Sequence, residues 1–91
     1  MVVRDALVQN KYGIHCRPSG LIAKAAQEYA SAVRVCRLDD DREVDAESVL
    51  GLMGLGLRAG DRVRISVEGP DAEAACRAFV ELFEKNYDFE R

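Results

Sequence analysis

A chain of 91 residues, 48% hydrophobic and 32% charged, suits one domain with a modest core that removes roughly 60 to 65% of the unfolded surface from water, and is too short for two. Its formal net charge of -3 and isoelectric point near 5.1 argue against a nucleic-acid partner, whose phosphates call for a basic surface. Two prolines and no low-complexity run argue against disorder, and Cys16, Cys36 and Cys76 have neither zinc-site nor disulfide-scaffold spacing, reading instead as free thiols of a reducing cytosol.

The chain begins MVVRDALVQN, where Asp5 interrupts the continuous apolar region that an export signal needs. The apolar run VLGLMGLGL, residues 49–57, is too short for the roughly 20 residues that span a bilayer. A cytoplasmic protein without membrane insertion is expected. Residues 2–9 predict a strand whose facing stays open, because Val3 with Leu7 and Ala6 with Val8 both alternate.

After a turn at residues 10–13, Leu21, Ile22, Ala25, Ala26 and Tyr29 recur at helical spacing, and Pro18 suits a first turn. The spacing predicts a first helix over 17–30. Val33 and Val35 alternate with Arg34 and Cys36; Asp39, Asp40 and Asp41 then make a solvated turn into a short strand from Arg42 to Asp45, giving a hairpin. That acidic turn offers too few oxygen ligands for calcium, and no metal or cofactor is expected.

Residues 48–54 predict a brief apolar helix, weakened by Gly51 and Gly54, with Asp45 and Ser48 as candidate caps. Gly51, Gly54 and Gly56 do not make a phosphate loop, since no lysine completes one. Val63, Ile65 and Val67 alternate with Arg62, Arg64, Ser66 and Glu68 as a strand with one buried face. Pro70 suits the first position of a last helix, whose apolar stripe is Ala72, Ala75, Cys76, Phe79, Leu82 and Phe83. Cys36 and Cys76 read as packing residues of strand and helix.

The order βαββαβα predicts an α+β open-faced sandwich, a four-stranded, mostly antiparallel sheet with three helices on one face, as a single domain over 1–91.

The stretch GIHCRPSG, residues 13–20, holds the only histidine. His15 stands just before a helix whose first-turn amides and dipole favour an anion, and Arg17 offers a planar fork of donors. Neutral imidazole is a competent nucleophile near neutral pH. Spacing alone leaves two readings open, a phosphoryl acceptor or an idle loop histidine.

GIHCRP resembles the active-site signature of the HPr family, the histidine-containing phosphocarriers of the phosphoenolpyruvate-dependent sugar phosphotransferase system. The stretch Ser48-Val49-Leu50-Gly51-Leu52-Met53 resembles the family's regulatory serine and the apolar helix after it. The likeness covers nearly the whole chain, with two extra residues in the acidic hairpin; Cys16 stands where alanine is usual, and Tyr12 before Gly13 is bulkier than the pattern.

The resemblance implies that His15 accepts a phosphoryl group on Nδ1 from Enzyme I and passes it to a sugar-specific IIA component, with Arg17 supporting the phosphate. It implies a serine kinase, with a phosphatase, acting on Ser48 to slow that exchange. It also implies a docking surface of Cys16, Gly20, Lys24, Gln27, Val49, Leu50 and Met53 on a monomer, suited to an acidic partner, while Leu52 and Leu55 turn into the core.

As a carrier, such a chain is not an enzyme in its own right. Three alternatives stand beside this reading. The chain could be a regulatory module of the same fold acting mainly through phosphorylated Ser48; Ser48 could be a plain N-cap; and His15 with Cys16 could form a nucleophile pair, although adjacent residues at a helix start point in different directions. Cys16 reads either as a small-residue replacement or as a redox-sensitive thiol at a helix start.

Overall fold

The alternation over Arg62–Glu68 builds a strand with one dry side and one wet side. In the computed structural model, which describes residues 1–87, this strand, β4 (Arg62–Glu68), is flanked by β1 (Val2–Leu7) and β2 (Ala32–Arg37), with β3 (Arg42–Asp45) at the far edge. The last four residues of the expected 1–91 domain lie outside the described residues. The sheet order is β1-β4-β2-β3, and every neighbouring pair is antiparallel.

The register sets Ala6 opposite Val63, Val35 opposite Ile65 and Val33 opposite Val67, so one face is apolar throughout its centre. Three helices, α1 (Cys16–Ala26), α2 (Val49–Gly54) and α3 (Ala72–Glu84), cover that face. The architecture is the expected α+β open-faced sandwich in the order βαββαβα.

Ile22, Leu52, Leu55, Phe79 and Phe83 fill the space between sheet and helices, each almost fully buried. Burying each of these side chains contributes about 1.5 to 3 kcal/mol relative to leaving it exposed. Leu82 of the predicted α3 stripe is only partly buried and packs at the margin of this core.

The facing of β1 resolves in favour of Ala6 and Val8, both buried, while Val3 and Leu7 stand on the open face at 47% and 40% exposure. The pattern was ambiguous because Arg4 occupies an inward position at the rim, where it pairs with Glu73 of α3 at 3.4 Å. The strand also stops at Leu7 rather than residue 9. Beyond it the Val8 amide donates to the Asp61 carbonyl at 2.9 Å, and Val8's own carbonyl accepts from Gly60 at 2.8 Å.

Helix α1 ends at Ala26, four residues short of the predicted boundary. A distant partner draws the chain away: the Asp71 carboxylate accepts from the amides of Ala30 and Ser31, both at 2.9 Å, and from the Ser31 hydroxyl. Tyr29 still reaches the core, where its ring lies 6.0 Å from that of Phe79. Because Asp71 is the N-cap of α3, Pro70 falls just outside the helix rather than at its first position. Cys36 also departs from expectation; it is half-exposed on the open sheet face opposite Arg64 and Glu43, whereas Cys76 is buried in the core.

The Ser31 hydroxyl and the Ala30 amide hold the Asp71 carboxyl below its ordinary value of 3.8. A depressed carboxyl pKa stabilises the fold fully above the unfolded value, and this contribution is lost as pH falls through the lower, folded value. Asp71→Asn is therefore expected to be less stable than the parent at pH 7, with the gap closing on acidification below about pH 4. Urea midpoints taken from pH 7 down to pH 2.5 check this.

Candidate functional site

Four residues of turn, Asn10 to Gly13, set the angle at which the chain enters α1. The Gly13 amide donates to the Asn10 carbonyl at 2.8 Å, and the Asn10 carboxamide donates to the Gly13 carbonyl at 2.9 Å. Gly13 has φ +74°, and a Cβ there would lie 2.2 Å from the Leu57 carbonyl oxygen. The next amide, that of Ile14, donates to the same oxygen at 3.1 Å, and the Ile14 side chain is buried. This entry is thus seated on the loop that follows α2.

His15 is the N-cap of α1, with extended backbone at φ -98° and ψ -150°. Its carbonyl accepts the first helical bond, from Ser19 at 2.9 Å, while its ring makes no capping bond to the helix amides. The residue is half-buried, and Nε2 is sealed from solvent.

The amides of a helix start point out of its N-terminal end, and no acidic side chain in the first turn of α1 offsets the positive end of the dipole. Pro18, the third helical residue, is buried and withdraws no hydrogen bond the helix needs at that end. Cys16 and Arg17 are exposed, and with Gly20 and Leu21 they line a shallow depression of about 420 Å³.

Arg17, Gly20, Lys24 and Gln27 fall at helical spacing along one accessible stripe of α1 and its C-cap. A Cβ at Gly20 would meet nothing within 4 Å. Helix α2 packs beside α1, burying Leu52 and presenting Leu50 at 81% and Met53 at 40% exposure, with Val49 half-buried between the two faces. Leu21 and Tyr12 add exposed apolar surface that the sequence reading did not include.

Ser48 is the N-cap of α2, its Oγ accepting from the Gly51 amide at 2.9 Å. Asp45 instead accepts from the Glu47 amide at 2.9 Å, forming the turn that leads into the cap. Gly51 is held to its size by this arrangement, since a Cβ would lie 3.0 Å from Ser48 Oγ and 3.2 Å from Val44 Cβ. At the other end, the guanidinium groups of Arg42 and Arg37 donate to the Gly54 and Leu55 carbonyls. A glycine-containing helix of six residues is thereby capped at both ends, the second time by arginines of the β2–β3 hairpin. Ser48→Ala is expected to lower stability by about 1 kcal/mol, the usual loss of a serine cap, measurable as a shift in urea midpoint.

Burial, with Asp41 and Glu43 nearby, pushes the Cys36 thiol up, and burial pushes up that of Cys76. No helix among the described residues is long and apolar enough to cross a membrane.

The family described as PTS HPr component phosphorylation site matches residues 2–85. The phosphocarrier protein HPr of Treponema pallidum is 37% identical over 90 residues, covering 99% of this chain and all of the relative. Among solved structures, HPr-C-His from Thermoanaerobacter tengcongensis superposes with a TM-score of 0.83 at 36% identity, covering 91% of each chain. The phosphocarrier protein HPr of Bacillus anthracis superposes with a TM-score of 0.85 at 29% identity, covering 91% of this chain and 96% of its own.

Proposed function

The chain belongs to the HPr family of phosphotransferase-system phosphocarriers, and from that premise we propose that His15 accepts a phosphoryl group from phospho-Enzyme I and hands it to a sugar-specific IIA component. The observation that carries this reading is a lone histidine held as the N-cap of a helix whose first turn contains no carboxylate. The family's role is carriage rather than turnover, so the site has only to receive a phosphoryl group, hold it and release it.

A neutral ring nitrogen attacks phosphorus; the new N–P bond forms as the donor's bond to phosphorus breaks, and no proton needs to leave the attacking nitrogen. The family likeness implies Nδ1 as the accepting nitrogen, and the burial of Nε2 is in keeping with that choice. The phosphoryl oxygens then meet the α1 amides, the dipole and the Arg17 guanidinium. The dipole contributes about 1 to 2 kcal/mol at a half-buried helix start. That is enough to steady the anion and little enough to leave it transferable.

Cys16, Gly20, Lys24 and Gln27 of α1, with Val49, Leu50 and Met53 of α2, form the surface on which both partners dock in turn. An apolar patch beside Arg17 and Lys24 suits an acidic partner. The chain works as a cytoplasmic monomer.

Phosphorylation of Ser48 by a serine kinase, reversed by a phosphatase, modulates this docking. The Ser48 hydroxyl is exposed, and a phosphate at an N-cap offers acceptors to the same amides, so α2 need not unwind. It adds about 1.5 to 2 negative charges beside Leu50 and Met53 and repels an acidic partner.

Incubation with labelled phosphoenolpyruvate and Enzyme I tests the proposal. Acid-labile label on this chain, chased into a IIA component, is the expected result. No label from several Enzyme I proteins would sink it, and efficient Ser48 phosphorylation with an inert His15 would favour a regulatory module instead.

A further inference from the structure

We infer that Asn10 is a positioning residue for His15, a buried amide bridge through which the chain after α3 holds the turn that presents the histidine. The inference rests on the carrier reading of His15. Asn10 is 1% exposed, one of three buried polar residues among those described. Its side chain is used at both ends: Nδ2 donates to the Gly13 carbonyl at 2.9 Å, and Oδ1 accepts from the Tyr87 amide at 2.8 Å.

Tyr87 is itself anchored. It is 4% exposed, its hydroxyl donates to the Leu82 carbonyl at 2.7 Å, and burial pushes its phenol up to about 12. The chain leaves α3 in extended conformation at Lys85 and returns to this turn within two residues. The His15 entry is therefore gripped from two sides, by Leu57 through Gly13 and Ile14, and by Tyr87 through Asn10.

Only a carboxamide of this length both donates to a carbonyl and accepts from an amide here, since aspartate lacks the donor and leucine lacks both. Removing it leaves the Gly13 carbonyl and the Tyr87 amide buried without this partner and lets the turn drift. Small displacements of a reacting group are costly: a shift near 1 Å lowers a rate by about 100-fold. The partner stripe on α1 and α2 is untouched by the substitution, so docking should survive where transfer does not.

The experiment measures phosphoryl transfer from phospho-Enzyme I with Asn10→Ala, Asn10→Asp and Tyr87→Pro proteins, each verified as folded by circular dichroism at the assay temperature. The expected result is a fall in kcat of about tenfold with KM within about twofold of the parent. Tyr87→Pro, which removes the amide donor at the far end of the bridge, should act through the same link. The Asn10→Ala/Tyr87→Pro double variant should then lose less than the product of the two single effects, the remainder coming from the lost Tyr87 ring, whereas independent effects would multiply.

A folded Asn10→Ala protein with an unchanged kcat, or multiplying effects in the double variant, would overturn the inference. If Asn10→Ala does not fold, Asn10→Asp and Tyr87→Pro carry the same readout. A parent protein that takes no phosphoryl group at all would sink the carrier reading instead. The bridge is then judged by the ring nitrogen resonances of His15, which should move in every variant and would stay fixed if Asn10 only stabilised the fold.

Discussion

His15→Ala protein is expected to fold and yet to take no phosphoryl group from phospho-Enzyme I. The imidazole is half-buried, so its truncation should cost about 1 kcal/mol, a typical value for a single substitution, and leave the fold intact. The effect on transfer should be total, because the nucleophile is gone and no second histidine exists in the chain. Cys16, exposed beside it, is the first residue of the helix. Label counts at background with a parent-like urea curve are the expected pair of results; appreciable acid-labile label on the variant would mean that another residue accepts the group.

Gly13→Ala should produce a large loss of stability for a single added methyl. The residue lies at φ +74°, where a non-glycine side chain is strained, and the new Cβ would sit 2.2 Å from a backbone oxygen, that of Leu57. Neither atom belongs to a flexible side chain, so the Ile14 to Leu57 hydrogen bond must break or the whole entry must shift. The expected cost is about 3 to 4 kcal/mol. For a domain of this length that lowers the melting temperature by about 15 °C or more. Gly20→Ala is the control: it is helical, has open space around it, and should gain about 0.5 to 1 kcal/mol. Comparable melting temperatures for the two variants would contradict the seating of the His15 entry on Leu57.

What could be read from the sequence was what depends on neighbours in the chain. β4 and α3 follow from unbroken period-2 and period-3.6 patterns, and their inward residues are those the patterns select, Leu82 at the core margin excepted. Ser48 was legible as a cap because a cap acts three residues away. The end of α1 was not legible, since Asp71, which draws Ala30 and Ser31 out of helical paths, lies 40 residues on. The face of β1 was hidden by an arginine on the inward side and two apolar residues on the outward one.

The site divides in the same way. His15 and Arg17 were conspicuous as a local constellation and through family likeness. Asn10 looked like an ordinary turn residue; its partner Tyr87 is 77 residues distant. Arg37 and Arg42 read only as strand positions, whereas their guanidinium groups close the C-terminal end of α2. Such long-range hydrogen bonds leave no periodic trace in a sequence.

The central claim is that the phosphoryl group rides on one atom, Nδ1 of His15. Long-range proton–nitrogen spectra of the uniformly labelled protein, recorded before and after incubation with phosphoenolpyruvate and Enzyme I, test it most directly. The phosphorus coupling and the large nitrogen shift should fall on Nδ1, with Nε2 keeping the character of an unsubstituted nitrogen. Phosphorylation at Nε2, or a phosphoryl group found on Ser48 or Cys16 with the ring unchanged, would contradict the account.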